Sequence, residues 1–344
     1  MRILLIRRGL FPPDLFAGSE MNLYWLCRML AANGHEIVAA TCAFGPADAP
    51  AVLDPQCGFP VYRAPDLFNS VPAALAQFEP DVFVVTECGP WVNGLPERVL
   101  KGPLVIYEQD VSSSGNDMAA EIRAHAQFVA NSPACQRNLK DVLGVESVVV
   151  RPLFGVDRYA GIERTGENVL FVSLQLRKGA DVAIRIAQAR PNVPFIFVES
   201  WTRDATQTQA LRDYVSGIPN ITRLANQPGL ADVMPMIKLL LMPSRSQESW
   251  GRTATEAQIC GIPVLGTARG NLPATIGEGG VTLDPDEPIE RWLAAFDRIM
   301  DDPSVYEDLS RKAREHGREM TQEIERAYRT FEQVLHDTAV RGRA

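Results

Sequence analysis

The chain has 344 residues, a length that favours two ordinary domains over one. Hydrophobic residues make up 46% and charged residues 22%, so both halves can bury a core. The formal net charge of −8, from 42 acidic and 34 basic side chains, argues against general nucleic-acid binding, which needs a clustered excess of Lys and Arg.

Ile3–Ile6 predicts a buried strand. This run is too short for a signal-peptide core and is closed by Arg7-Arg8. No stretch approaches the roughly 20 apolar residues of a membrane helix, so a cytoplasmic protein is expected. Helical periodicity over Glu20–Asn33 is followed by a second strand, Glu36–Thr41, which the Gly34-His35 turn opens. Val82–Thr86, Leu104–Tyr107 and Phe128–Ala130 are short apolar runs bounded by turn or polar residues, as in a parallel sheet covered on both faces. Arg151 to Glu167 holds a proline, three glycines and several charges, and reads as a linker.

A second series starts at Val169–Val172. A helix follows from about Ala180 to Ala189, with strands at Phe195–Val198, Ile221–Leu224, Leu239–Met242 and Pro263–Gly266. The tail from about Val305 to Arg341 reads as two charged amphipathic helices. Within it Ile324, Ala327, Tyr328, Phe331 and Leu335 make one apolar stripe at spacings of three and four. The expected fold class is α/β: two Rossmann-like parallel-sheet domains facing across a cleft, with ligands beyond the carboxyl ends of the strands. Cys27, Cys42, Cys57, Cys88, Cys135 and Cys260 form no C-x-x-C pair and read as small buried thiols.

The chemistry concentrates in Leu239 to Gly266, LLLMPSRSQESWGRTATEAQICGIPVLG. A strand ends at Pro243-Ser244, a polar loop follows, and a helix opens near Trp250-Gly251 and runs to about Cys260. A helix start carries partial positive charge and unpaired backbone N–H groups, which suits a phosphate. Glu248 precedes the helix and Glu256 sits on its second turn. One carboxylate can accept from sugar hydroxyls and the other from ribose hydroxyls, with a phosphate between.

The pattern P-S-x-x-x-E-x-W-G-x-x-x-x-E-A-x-x-x-G-I-P-V resembles the donor-site signature of glycosyltransferase family 4, whose members have the GT-B fold. FPPDLFAGSEMN (Phe11–Asn22), Gly34-His35-Glu36-Ile37-Val38, Asn131-Ser132, Gly155-Val156-Asp157 and Lys178-Gly179 match further family segments in order. The resemblance implies retaining transfer of a sugar from a nucleoside diphosphate, without a metal or other cofactor, to a small-molecule or glycan acceptor. It implies an acceptor-side domain of 1–155 plus about 323–344, and a donor domain of 156–322. Lys178 would neutralise the donor β-phosphate, helped by Arg177, with Ser249, Trp250, Gly251, Arg252, Thr253 and Glu256 also donor-binding and Gly18 near the diphosphate. Ala17-Gly18-Ser19-Glu20 can equally cap a helix, with Ser19 as N-cap. Glu248 and Gln109 fall at the catalytic positions.

Two departures stand out. Gln109 occupies the position where the family commonly has a His, and Ala274 the position of a glutamate. Glu87, Glu108 and Asp110 lie at nearby strand ends, where each is either an ordinary polar loop residue or an acceptor-side carboxylate. Asp284-Pro285-Asp286 spells D-x-D, but in a Pro-rich connection where it reads as chance. The histidines are His35, His125, His316 and His336; His35 in a turn and His125 in a helical run are poor candidates for a nucleophile or a metal ligand. The rival readings are a nucleotide-sugar epimerase of the same architecture and a non-catalytic nucleotide-sugar-binding protein. A dinucleotide dehydrogenase is weaker, because no G-x-G-x-x-G follows the first strand.

Overall fold

The computed structural model describes residues 1–111, 117–200 and 204–342. They divide into two compact units: residues 1–154 together with those from Ile324 onward, and residues 155–323.

Unit 1 runs β1 (Arg2–Arg7), α1 (Gly18–Ala32), β2 (Glu36–Cys42), β3 (Val52–Asp54), β4 (Val61–Ala64), α2 (Leu67–Gln77), β5 (Val82–Thr86), α3 (Glu97–Leu100), β6 (Leu104–Glu108), α4 (Ala120–His125), β7 (Gln127–Ala130), α5 (Pro133–Leu143) and β8 (Ser147–Val149). The sheet order is β3-β4-β2-β1-β5-β6-β7-β8, parallel except for β3. Leu4 and Ile6 pack with Val38, Ala40, Phe83, Val85 and Ile106 against Val71, Ala74 and Leu139. Ile3 and Leu5, which point the other way, are equally buried, so the strand needs an unbroken apolar run. Helix α5 shows how local sequence sets an element. Pro133 opens it, the Ser132 hydroxyl accepts from the Cys135 N–H at 3.1 Å, and Gly144 ends it at φ 68°.

Unit 2 runs β9 (Asn168–Val172), α6 (Ala180–Ala189), β10 (Phe195–Val198), α7 (Ala205–Ser216), β11 (Ile221–Leu224), β12 (Ile237–Met242), α8 (Arg252–Ile259), β13 (Val264–Thr267), α9 (Leu272–Ile276), β14 (Gly280–Leu283) and α10 (Ile289–Asp301), with α11 starting at Pro303. Its sheet is parallel, in the order β11-β10-β9-β12-β13-β14. One face packs Phe171, Phe195 and Leu241 on α6 and α10 through Ile186, Trp292 and Phe296. The other packs Leu170, Leu240 and Val264 on α8 and α9 through Ala254, Ala257, Leu272 and Ile276.

The tail departs from expectation. It is one continuous helix, α11, Pro303–Arg341, whose residues from Ile324 onward belong to unit 1. Gly317 does not end it. A Cβ there would lie 2.5 Å from the Gln258 carbonyl oxygen, so the glycine serves a close approach of α11 to the end of α8. Strands β3, β4, β8 and β14 are additional to those expected. In β4 the apolar pattern is broken by Arg63, which is buried and held by Asp54 (2.7 Å) and the Phe11 carbonyl (3.2 Å). Five of the six cysteines are buried and Cys42 is half-buried, all as free thiols. Among the described residues no helix is long and apolar enough to cross a membrane.

Candidate functional site

Among the parallel strands of each sheet the order reverses at one point: between β1 and β5 in unit 1, and between β9 and β12 in unit 2. Loops leaving the carboxyl ends of such strands diverge and leave room for a ligand.

In unit 2 the loop after β9 carries Arg177 and Lys178, and Gly179 then opens α6 at φ +80°. A Cβ on Gly179 would lie 2.0 Å from the Pro243 carbonyl oxygen, so only glycine lets this loop rest on the one that follows β12. That contact brings Lys178 into an ion pair with Glu248, and the Ser244 hydroxyl donates to the same Glu248 oxygen at 2.7 Å. Burial acts to raise the Glu248 pKa, but Lys178, the Ser244 bond and Arg177 outweigh it and hold the carboxyl below its ordinary value. Arg177 staples the two loops. Its Nε donates to Gln175 Oε1 at 3.0 Å, and its carbonyl accepts from the N–H groups of Arg245 and Ser246 at 2.9 and 3.2 Å.

Gly251 is the N-cap of α8. Trp250 beside it points inward. It is buried, its Nε1 donates to Thr255 Oγ1 at 3.0 Å, and its carbonyl accepts from the Thr275 hydroxyl at 2.6 Å. The ring packs under the turn that opens α8. Ser249, Arg252 and Thr253 are half-buried around the helix start, where the macrodipole is positive. Arg252 Nη2 donates to Glu256 Oε1 at 2.8 Å. Burial pushes the Glu256 carboxyl up, partly offset by Arg252, by a hydrogen bond from Tyr159 and by Arg158. The two glutamates are therefore electrostatically opposite, Glu248 held down and Glu256 held up. Ser244, Tyr159 and Arg158 were not among the expected residues; Ser244 lies within the P-S pair that ends the strand and was the accessible signal.

In unit 1, Arg7 at the end of β1 is buried between two carboxylates. Nη1 donates to Glu87 Oε1 at 2.8 Å and Nη2 pairs with Glu20. Burial acts to lower the Arg7 pKa, yet Glu20 and Glu87 hold it above its ordinary value. Glu87 sits at φ 72°, a sparsely populated region for a side chain of this type. The cap of α1 is Ala17, with no side-chain bond, and Gly18 is exposed at its start. Ser19 is not the N-cap: its hydroxyl instead donates to Glu20 at 2.9 Å and accepts from Arg7 at 3.3 Å.

Gln109 is buried. Its Oε1 accepts from Asn22 Nδ2 at 2.6 Å, while its Nε2 has no hydrogen-bond partner among the described residues. Asn22 also donates to the Tyr107 hydroxyl at 3.0 Å and accepts from the Leu153 N–H at 2.6 Å. Asp110 is half-buried. Glu108 is the last residue of β6. It is fully buried and accepts from the backbone N–H groups of Cys88, Gln109 and Asp110 at 2.7, 2.8 and 2.8 Å, tying the ends of β5 and β6 together.

Burial pushes the Glu108 carboxyl up to about 7, against the pull of the Cys88 and Asp110 N–H groups. The folded chain therefore holds this proton more tightly than the unfolded chain. Its contribution is fully present below the ordinary carboxyl pKa and is lost as pH rises towards 7, by about 3 kcal/mol. Carbon-13 NMR titration of the Glu108 carboxyl should show a midpoint near 7; an ordinary carboxylate midpoint would refute this.

The two parallel-sheet units have the fold of the GT-B glycosyltransferases. Sucrose-phosphate synthase from Thermosynechococcus elongatus superposes with a TM-score of 0.79 at 16% identity, covering 98% of each chain. HepE from Anabaena, solved in complex with UDP and glucose, superposes with a TM-score of 0.78 at 17% identity, covering 97% of this chain and 99% of that one. Residues 160–316, which include Lys178, Glu248 and Glu256, match the family model described as glycosyl transferases group 1. Among curated proteins, D-inositol 3-phosphate glycosyltransferase from Paenarthrobacter aurescens (strain TC1) is 38% identical over 222 residues, 56% of this chain and 53% of that protein. The protein of the same description from Pseudarthrobacter chlorophenolicus is 30% identical over 188 residues, 49% of this chain and 43% of that one. The chain thus spans about half the length of the curated relatives it matches.

Proposed function

We propose that the chain transfers a sugar from a nucleoside-diphosphate sugar to an acceptor, with retention of configuration and without a metal in the chemical step. The observation that carries this reading is the Lys178–Glu248–Ser244 cluster beside the start of α8, at the strand-order reversal of unit 2. Lys178 and the helix start receive the diphosphate, Glu248 accepts from sugar hydroxyls and Glu256 from the ribose. Lys178 leaves Glu248 when the phosphate arrives, so one cation serves both states. The bond between the sugar carbon and the leaving diphosphate oxygen breaks, an acceptor oxygen bonds to the same face, and the acceptor proton passes to the departing phosphate. The chain supplies position and positive charge for that step. Unit 1 is proposed to hold the acceptor through Glu87, Gln109 and Asp110, and the unpartnered Gln109 Nε2 supplies a donor in place of histidine.

The test is a panel of nucleotide sugars scored for thermal stabilisation, then for nucleoside diphosphate release with acceptors present. UDP-glucose, present in one HepE structure, and D-inositol 3-phosphate, named in the curated relatives, are the first pair to try. Product NMR should show the donor's anomeric configuration kept. An epimerised nucleotide sugar would establish the epimerase reading, and binding without turnover the non-catalytic one. Turnover should also survive excess EDTA. Asp284 and Asp286 are engaged elsewhere, Asp284 Oδ1 accepting from the Asp286 N–H at 2.9 Å and Asp286 pairing with Arg269 at 3.2 Å. Loss of turnover with EDTA, restored by manganese or magnesium, would sink the metal-free step.

A further inference from the structure

Three side chains, one early in the sequence and two late in it, meet on unit 1. His35 lies in the turn before β2, while Glu332 and His336 stand four residues apart on α11, which places them on one face. His35 Nε2 lies 2.8 Å from Glu332 Oε1, and the His35 and His336 ring centroids are 6.0 Å apart. One ligand atom from each of the three lies within 4.8 Å of the others. The geometry points to a binding site for one divalent first-row transition ion, of the zinc class, that clips the end of α11 to the start of β2.

Two imidazoles and a carboxylate are a donor set for Zn²⁺, Co²⁺ or Ni²⁺, and three protein ligands leave a position for water. A tetrahedral ion with bonds of about 2.0–2.1 Å needs neighbouring ligand atoms ~3.3 Å apart. His35 and Glu332 are already that close, and His336, exposed to solvent, has the freedom to swing inward. The carboxylate is oriented from behind. The buried Tyr328 donates its hydroxyl to Glu332 Oε1 at 2.8 Å, the kind of support that ligating carboxylates carry. A plain His35–Glu332 pair would not need the second imidazole one helical turn on.

His35 precedes the first residue of β2, whereas Arg7, Glu87 and Gln109 stand at or just past the final residues of β1, β5 and β6. In a parallel sheet those are opposite edges, so the ion is structural and takes no part in sugar chemistry. It joins positions 297 residues apart in sequence and stabilises only the folded state.

The test uses the full chain, free of any purification tag and stripped with chelator. Cobalt titration should give visible d–d absorption that saturates at one ion per chain, without the near-ultraviolet bands of thiolate ligation. Zinc should raise Tm with concentration, while turnover well below Tm stays constant. His336→Ala, at an exposed position, should fold, melt like the stripped wild-type chain and lose both the saturable cobalt spectrum and the zinc-dependent rise. Glu332→Gln should lose them as well. The proposal is overturned if the wild-type chain shows no saturable uptake, if His336→Ala binds cobalt as the wild type does, or if the spectrum is that of a thiolate site.

Discussion

Lys178→Ala should weaken nucleoside-diphosphate binding by about 1.5–3 kcal/mol, roughly ten- to 150-fold in Kd, and nucleoside-monophosphate binding much less. The ammonium would make a charged hydrogen bond to the β-phosphate, which only the diphosphate has. The substitution also acts on the resting protein, because Glu248 loses its cation while its side chain is only 13% exposed. In the wild-type chain the depressed Glu248 pKa means stability that is present above the ordinary carboxyl value and lost as pH falls through the folded pKa. With Lys178 gone, burial dominates and the sign inverts, so the variant loses stability as pH rises. Lys178→Ala combined with Glu248→Gln should recover stability at neutral pH yet not recover diphosphate affinity. Calorimetry with both nucleotides on the three proteins decides the matter. Equal losses for mono- and diphosphate would remove Lys178 from the phosphate.

Truncation after Met320 should have the largest effect on stability. Tyr328, Phe331 and Leu335 are at most 2% exposed, and the Tyr107 and Phe331 ring centroids stand 5.4 Å apart in the core of unit 1. At about 1.5–3 kcal/mol for each large buried side chain, their loss totals about 5–9 kcal/mol, comparable to the whole stability of a domain. Unit 1 should then fail to fold, bind apolar dyes and aggregate, and turnover should go with it. Phe331→Ala tests the same point more gently and should cost about 3–5 kcal/mol in denaturant unfolding. A truncated chain that stays monomeric and melts with the wild type would refute this account of the tail.

Much of the fold was legible because parallel strands buried on both faces leave unbroken apolar runs. Val82–Thr86 and Phe195–Val198 have the expected bounds. Strand β4 was hidden because its buried Arg63 looks like a surface residue until Asp54 and the Phe11 carbonyl are seen around it. The tail was read as two helices because its length and charge offered no sign that one helix would belong to both units, and Gly317 serves packing rather than termination. In the candidate site, the order of Lys178, Glu248 and Glu256 along the chain was legible. The pairing of Lys178 with Glu248, 70 residues on, was not, since it depends on β9 and β12 being neighbours. Trp250 turned inward for a reason that no spacing records: its Nε1 finds Thr255. His35 was set aside as a turn residue because its partners lie on a helix at the far end of the sequence.

The division of α11 between the units also sets an order of events during synthesis. Unit 2 is one continuous stretch, residues 155–323, and has all its residues once Glu323 has left the ribosome. Unit 1 is begun first and finished last: Tyr107 waits for Phe331, and His35 for Glu332, until the final helical turns emerge. The nascent chain therefore carries an open apolar surface through the making of the whole second unit. That interval, rather than the folded protein, is where a chaperone would matter most and where slowed translation of the second half of α11 would do most harm.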